Sequence, residues 1–358
     1  MRRNLSLRYA SALMAPPFLF IFAAAALNVA PAQVALLCSP AGGQSTQLRF
    51  QPLGQTELAP VVAEVAHVPG ETTLGAVLPQ SKTVLAVVTT TPSRDLSFAG
   101  SLVKLEAGKP PRFLADRVVP STRPLITSDG RVFVQRGTIG TPGNERGAMR
   151  VDELTIDEIS AATGAARTVL TFKGYFAFLI GAFDGRLLIY RLGTSGADVI
   201  AVHPDSLGVE RLSPIAPLAR DFAIDAANRA LYYTQADRER RRWFIERLDL
   251  ATHQVTALPV SSSDMALLPT LFPNGKISFS PGPGQGLRAV GSDQSHFAST
   301  GAGYERLRFF TARGTIAVGL NEAPSDFSTP FAVELRTGTR LPLAAPPKNL
   351  LDIAGVTE

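Results

Sequence analysis

The chain has 358 residues, 45% hydrophobic and 18% charged, enough apolar material to bury one large core or two ordinary ones. Its net charge of +5 comes mostly from arginine, and no long like-charge tail is present, which argues against a dedicated nucleic-acid binder. Cys38 is the only cysteine, so neither an intrachain disulfide nor a cysteine-based zinc site can form.

From the N-terminus, MRRNLSLR is basic, and no charged residue then occurs between Arg8 and Arg49. Within that gap FLFIFAAAALNVA (Phe18–Ala30) is an apolar run of signal-peptide length, and Ala30-Pro31-Ala32 is an A-x-A cleavage pattern. Pro16 and Pro17 interrupt the apolar segment and argue against one continuous membrane helix. The expectation is a signal peptide over 1–32, a flexible linker over 33–45 and one folded domain over 46–358. Two rivals stay open. The stretch VALLCSPAGGQS resembles a bacterial lipoprotein signal in which Cys38 would carry the lipid, although Leu37 stands where that motif wants a small residue. An uncleaved anchor is the third reading. All three place the folded part outside the cytoplasm: in the periplasm, secreted or at the cell surface.

Further along, one pattern recurs. LGAVLPQSKTVLAVV starts at Leu74, PLITSDGRVFVQ at Pro124, FLIGAFDGRLLIYR at Phe178 and FAIDAANRALYYT at Phe222. LPTLFPNGKISFS follows from Leu268 and RFFTARGTIAVGL from Arg308. Each is an apolar strand, a turn built on Asp-Gly, Asn-Gly or a substitute, and a second strand of alternating or branched residues. Asn and Gly tolerate the positive φ of two-residue hairpin turns, so the motif has a mechanism. A further strand pair follows each hairpin, seen best in WFIERLDLATHQVTAL and FAVELRTGTRLPL. The unit is therefore four antiparallel strands, a to d, recurring about every 47 residues, which predicts an all-β fold of the β-propeller type.

Six such units lie between Leu74 and Leu343, and incomplete strand material flanks them on both sides. A ring removes its exposed edges by pairing strands from the two termini. Seven blades with a composite closing blade are expected, with Leu48–Val65 paired to Leu350–Val356; six blades with a strapped-on extension is the alternative. Helix should be almost absent beyond the signal.

PTLFPNGKISFS (Pro269–Ser280) resembles the PD40 repeats of TolB-like propellers, where Ser-Pro-Asp-Gly precedes a strand. IERLDLATHQVTAL resembles the closing strands of such blades, with His253 in place of the glycine of their Asp-x-x-Thr-Gly turn. The resemblance implies the WD40-like propeller fold and, by analogy alone, an extracytoplasmic binding role.

Catalytic chemistry is hard to find. No G-x-S-x-G pentapeptide occurs, and no α/β segment is left over to hold a peptidase domain. His67, His203, His253 and His296 lack metal-site spacing, so neither a metal nor a cofactor is expected. PGPGQG (Pro281–Gly286) is a glycine-rich stretch between strands b and c with no helix behind it to cradle an anion. Asp152, Glu153, Asp157 and Glu158 alternate across a strand and read as the solvated side of an outer strand. The loops between strands b and c are longer and mutually unlike: TTPSRDLSFAG, GTIGTPGNERGAMRVD, ADRERRR and NEAPSDFSTP. Variable loops on a constant scaffold are where specificity usually resides. Arg238, Arg240, Arg241, Arg242 and Trp243 are therefore the binding-face candidates, for a protein, peptide or glycan partner rather than nucleic acid. The competing reading is a glycosidase- or lyase-like propeller enzyme with carboxylates at its channel mouth.

Overall fold

A computed structural model of the chain describes residues 32–40, 43–69, 71–90, 98–120, 122–139, 151–173, 176–193, 196–215, 219–237, 242–260, 266–292, 295–297, 303–322, 328–346 and 349–358. Expectations about the signal segment before Ala32 lie outside them. No helix occurs among the described residues.

The strands come in antiparallel meanders. β1 (Gln33–Cys38), β2 (Ser45–Pro52) and β3 (Ala63–Ala66) open the described chain. The next meander is β4 (Leu74–Val77), β5 (Thr83–Thr89), β6 (Gly100–Glu106) and β7 (Arg112–Val118). It is followed by β8 (Leu125–Ile126), β9 (Val132–Ile139), β10 (Val151–Ile159) and β11 (Ala166–Lys173). Then come β12 (Phe176–Phe183), β13 (Arg186–Gly193), β14 (Gly196–Val202) and β15 (Val209–Ile215). β16 (Arg220–Asp225), β17 (Ala230–Asp237), β18 (Arg242–Asp249) and β19 (Val255–Ala257) form another. So do β20 (Leu267–Leu271), β21 (Ile277–Ser280), β22 (Leu287–Ala289) and β23 (Ser295–Phe297). The last full meander is β24 (Tyr304–Phe310), β25 (Ile316–Glu322), β26 (Thr329–Glu334) and β27 (Arg340–Leu341).

The final strand, β28 (Leu350–Thr357), pairs with β1 and completes a sheet of order β28-β1-β2-β3. Both ends of the described chain thus share one unit. Two meanders, β4–β7 and β8–β11, run together as an eight-stranded sheet, joined only by the pair Val118↔Arg136. The first strands of the units neighbour one another in the cycle β28, β4, β8, β12, β16, β20, β24 and back to β28. That closed cycle of four-strand sheets is the geometry of a β-propeller.

Packing explains why so many strands are apolar on both faces. A sheet in a ring is covered on each side by a neighbour, so alternate residues serve different cores. In β1, Ala35 and Leu37 pack with Val84, Ala86 and Val88 of β5 on one side. Val34, Leu36 and Cys38 pack with Val318 and Leu320 of β25 on the other. β5 behaves alike, its Leu85 and Val87 meeting Val132 and Val134 of β9. The remaining junctions hold cores built around Phe133 and Ile189, Tyr190 and Tyr233, Tyr232 and Phe279, and Leu287 and Phe331.

Three expectations need correction. Gln33–Cys38, read as linker, is a buried strand at the heart of the closing unit, because its charge-free sequence suits two-sided burial. β28 consequently pairs with β1 rather than with Leu48–Val65, which lies in the same sheet as β2 and β3. Asp157 is not solvated, and Glu158 is only partly exposed. Arg136 Nη1 donates to Asp157 Oδ2 at 2.8 Å, and Asp157 is buried.

Glu158 belongs to a clamp between two units. Arg131 donates to it through Nε and Nη2, Arg167 joins from β11, and Arg131 also reaches Asp205 in the β14–β15 turn at 2.9 Å. Hydrogen bonds from Arg131, then from Arg167, hold the Glu158 carboxyl down to about 2. A depressed carboxylate contributes stability that is complete above its ordinary value of 4.5 and is lost as pH falls toward about 2. Glu158→Gln should therefore melt lower than wild type at pH 6, with the difference shrinking below pH 4.5 and nearly gone only once pH falls below about 2. A melting difference that stays constant across that window would remove the clamp from the account of acid lability.

Candidate functional site in the axial channel

The first strands of the units line the axis. A cavity of about 530 Å³ lies between them, bounded by Leu74 of β4, Phe222–Ile224 of β16, Pro269–Leu271 of β20 and Arg306–Phe310 of β24, with Arg123 entering just ahead of β8. A second cavity of about 790 Å³ shares Arg123, Phe309 and Phe310 and opens among the a–b turns at Gln80, Lys82 and Ala312.

Bulges shape this wall. Register shifts fall within β12, β16, β20 and β24, each between the inner strand and its partner. A bulge bends its strand and re-aims the extra side chain. In β24 the shift falls between Leu307 and Phe309, which leaves Arg308 as the unpaired position. Asp221 and Leu268 hold positive φ of 55° and 54° at the bulges of β16 and β20.

Three arginines meet here. Arg123 is fully engaged: it donates to the carbonyls of Gly75 and Ile353 and, through Nη2, to Asp352 Oδ1 at 2.6 Å. Its guanidinium also lies 5.7 Å from the Phe309 ring centroid. Arg308 donates to Asp352 Oδ1 at 2.9 Å and to Glu322 Oε1 at 3.0 Å. Asp352, 1% exposed, accepts in addition from the Gly75 N–H at 3.0 Å. Gly75 lets the strands close up there, since a Cβ would stand 2.7 Å from Leu37 Cδ1 and force that side chain to shift. Arg306 is different. Among the described residues no hydrogen bond or ion pair holds its side chain, and only through-space charge acts on it. Burial lowers its pKa, Arg308 lowers it further, Asp221 and Glu322 act in the opposite sense, and Arg123 adds to the lowering. It is half-buried: protein surrounds it, yet it borders the channel space.

The channel is therefore lined by arginine and aromatic groups, and its carboxylates are already partnered. Asp352 and Glu322 are held by Arg123 and Arg308, and Asp221 pairs with Arg220 at 3.1 Å. No group of three or more metal-ligating side chains occurs among the described residues.

Of the sequence-derived candidates, Arg238, Arg240 and Arg241 lie outside the described residues. Arg242 is not in a loop: it opens β18, paired in register with Asp237 of β17. Trp243 is half-buried, with the Arg220 guanidinium 4.5 Å from its ring centroid. Arg220 begins inner strand β16, so this end of the candidate face borders the channel wall. The PGPGQG stretch links β21 to β22. Reasoning from sequence missed Arg123, Arg306, Arg308, Glu322 and Asp352. The available signal was YERLRFF, where arginines two residues apart sit in a strand whose counterparts, such as LGAV and LLPTL, are uncharged.

No protein-family model matches the chain, and no curated protein matches it in sequence. Solved structures do. A prolyl endopeptidase structure aligns over 86% of this chain with a TM-score of 0.55 and 15% identity. The chain spans about half of that structure's length, 49%. TolB from Acinetobacter baumannii aligns over 89% of this chain and 81% of its own, with a TM-score of 0.43 and 16% identity. A nidogen/laminin complex structure aligns over 90% of this chain and 97% of that one, with a TM-score of 0.45 and 13% identity. At such identities a likeness speaks for the fold. The closed cycle of four-stranded sheets and the prolyl endopeptidase alignment agree on the fold: the chain is a β-propeller.

Proposed function

We propose that this propeller is an exported binding or scaffold protein that recognises a protein, peptide or glycan through the face carrying its b–c loops and inter-unit loops. The observation that carries the reading is the state of the channel carboxylates. Asp352 and Glu322 are each committed to arginine, so among the described residues around the inner cavity no acid and base stand free for glycoside hydrolysis or elimination. The a–b and c–d connections on the opposite face are short turns such as Asp184–Gly185 and Ser160–Ala165, poor material for specific recognition. Export is supported by the basic start, the apolar run and Ala30-Pro31-Ala32, since cleavage after Ala32 leaves β1 intact from Gln33. Lipidation at Cys38 conflicts with the fold. It would remove Gln33–Leu37 and lipidate a thiol that lies in a core, its pKa pushed up to about 12 by burial.

Charge reversal tests the face. Arg240→Glu with Arg241→Glu should weaken capture of an envelope partner at least tenfold, as loss of paired hot-spot charges does. Lys276→Glu with Arg313→Glu, exposed at a–b turns opposite, should leave capture unchanged. Equal losses from both pairs, measured by affinity capture and quantitative mass spectrometry, would reject this face.

A further inference from the structure

We propose that the axial channel is a receptor site for a small organic carboxylate with an apolar body, in which Arg306 is the residue that receives the anion. The site lies among the inner strands, touching the loop face only where Arg220 meets Trp243, and stands whether or not that face binds a partner.

Charge counting sets the ligand's charge. Arg123, Arg306 and Arg308 contribute three positive charges, against one each from Asp352 and Glu322, while Arg220 and Asp221 cancel. One cation is left over, and it is Arg306, the arginine with no partner among the described residues. A monoanion balances the channel. A dianion such as phosphate would face Asp352, Glu322 and Asp221 with no cation left to offset its second charge. The guanidinium fork also matches a carboxylate bidentately, whereas a lone halide uses only part of it.

The cavity sets the ligand's body. About 530 Å³ is of small-molecule size, and Phe222, Ile224, Leu271 and Phe309 supply apolar wall beside the cation. Arg306 borders the channel space without a protein partner among the described residues, whereas a structural role for it would have brought a carboxylate into contact. Instead the neighbouring carboxylates are held by Arg308 and Arg123, which fixes the wall and keeps Arg306 available. Burial and the two neighbouring arginines both press Arg306 toward losing charge, so an incoming anion relieves a tension already present.

Calorimetric titration and melting of the full chain with benzoate, benzamide and inorganic phosphate test the proposal. Benzoate is expected to bind and raise the melting temperature beyond the effect of sodium chloride at equal ionic strength. Benzamide, the neutral analogue, should not bind. Arg306→Gln should weaken benzoate at least tenfold while melting at or above the wild-type temperature without ligand, and Arg306→Lys should retain part of the affinity. Benzamide binding as well as benzoate, or unaltered benzoate binding by Arg306→Gln, would overturn the site. Unliganded Arg306→Gln melting well below wild type would make Arg306 a structural group, and tighter binding of phosphate than of benzoate would reject the carboxylate class.

Discussion

Deleting Lys348–Glu358 is expected to abolish cooperative folding, leaving a chain that aggregates and shows no sharp thermal transition. β28 is the inner strand of the closing unit, paired along its length with β1 and adjacent to β4 and β24. Its Leu350 and Ile353 are buried in the core shared with β25, and Ala354 is buried in the core shared with β5. Burying a Leu or Ile side chain contributes roughly 1.5–3 kcal/mol, so these contacts alone approach the roughly 5–15 kcal/mol that separates folded from unfolded domains. The deletion also exposes the β1 edge from Gln33 to Cys38, an apolar row free to pair with another molecule. Circular dichroism melting and size-exclusion chromatography read both effects. A deletion variant that stays monomeric and melts at the wild-type temperature would show that the ring does not depend on closure through β28.

Much of this architecture was legible because turn chemistry is local. Asp184 and Gly185 hold positive φ of 51° and 69°, as the Asp-Gly pair in FLIGAFDGRLLIYR implies. His253 likewise takes φ of 62° at the c–d turn position that Gly164 and Gly338 occupy elsewhere. It is held there by its N–H donating to the Asp249 carbonyl, while the Asp249 carboxylate accepts from the N–H groups of Thr252 and Ala251. Position around a ring is not local, and that is where reading failed. VALLC looks the same as the tail of an export signal whether or not a second strand covers each face; only closure through β28 makes it a core strand. Arg123, Arg308 and Asp352 are separated by 185 and 44 residues in sequence, and no spacing rule links them. Their meeting follows from three inner strands sharing one axis.

Asp352→Ala is expected to destabilise the propeller by about 3–5 kcal/mol, the range found when one partner of a buried ion pair is removed. One carboxylate here serves three inner strands: it accepts from the Gly75 N–H at β4, from Arg123 beside β8 and from Arg308 of β24. Alanine leaves a buried N–H unsatisfied and two guanidinium groups short of their counter-ion in a channel that already holds Arg306. Asp352→Asn should lose less, because the amide oxygen can still accept from Gly75 or Arg123 while the charge is gone. Adding Arg308→Met to Asp352→Ala should recover part of the loss, since it removes one of the stranded cations. Anion binding should move in the opposite direction. With Asp352 gone the channel carries a further excess positive charge, so the Asp352→Ala variant should gain more melting temperature from benzoate than wild type does. Loss of stability together with loss of the benzoate response would mean that Asp352 builds the site through geometry; loss of stability with a larger response assigns it the role of counter-ion.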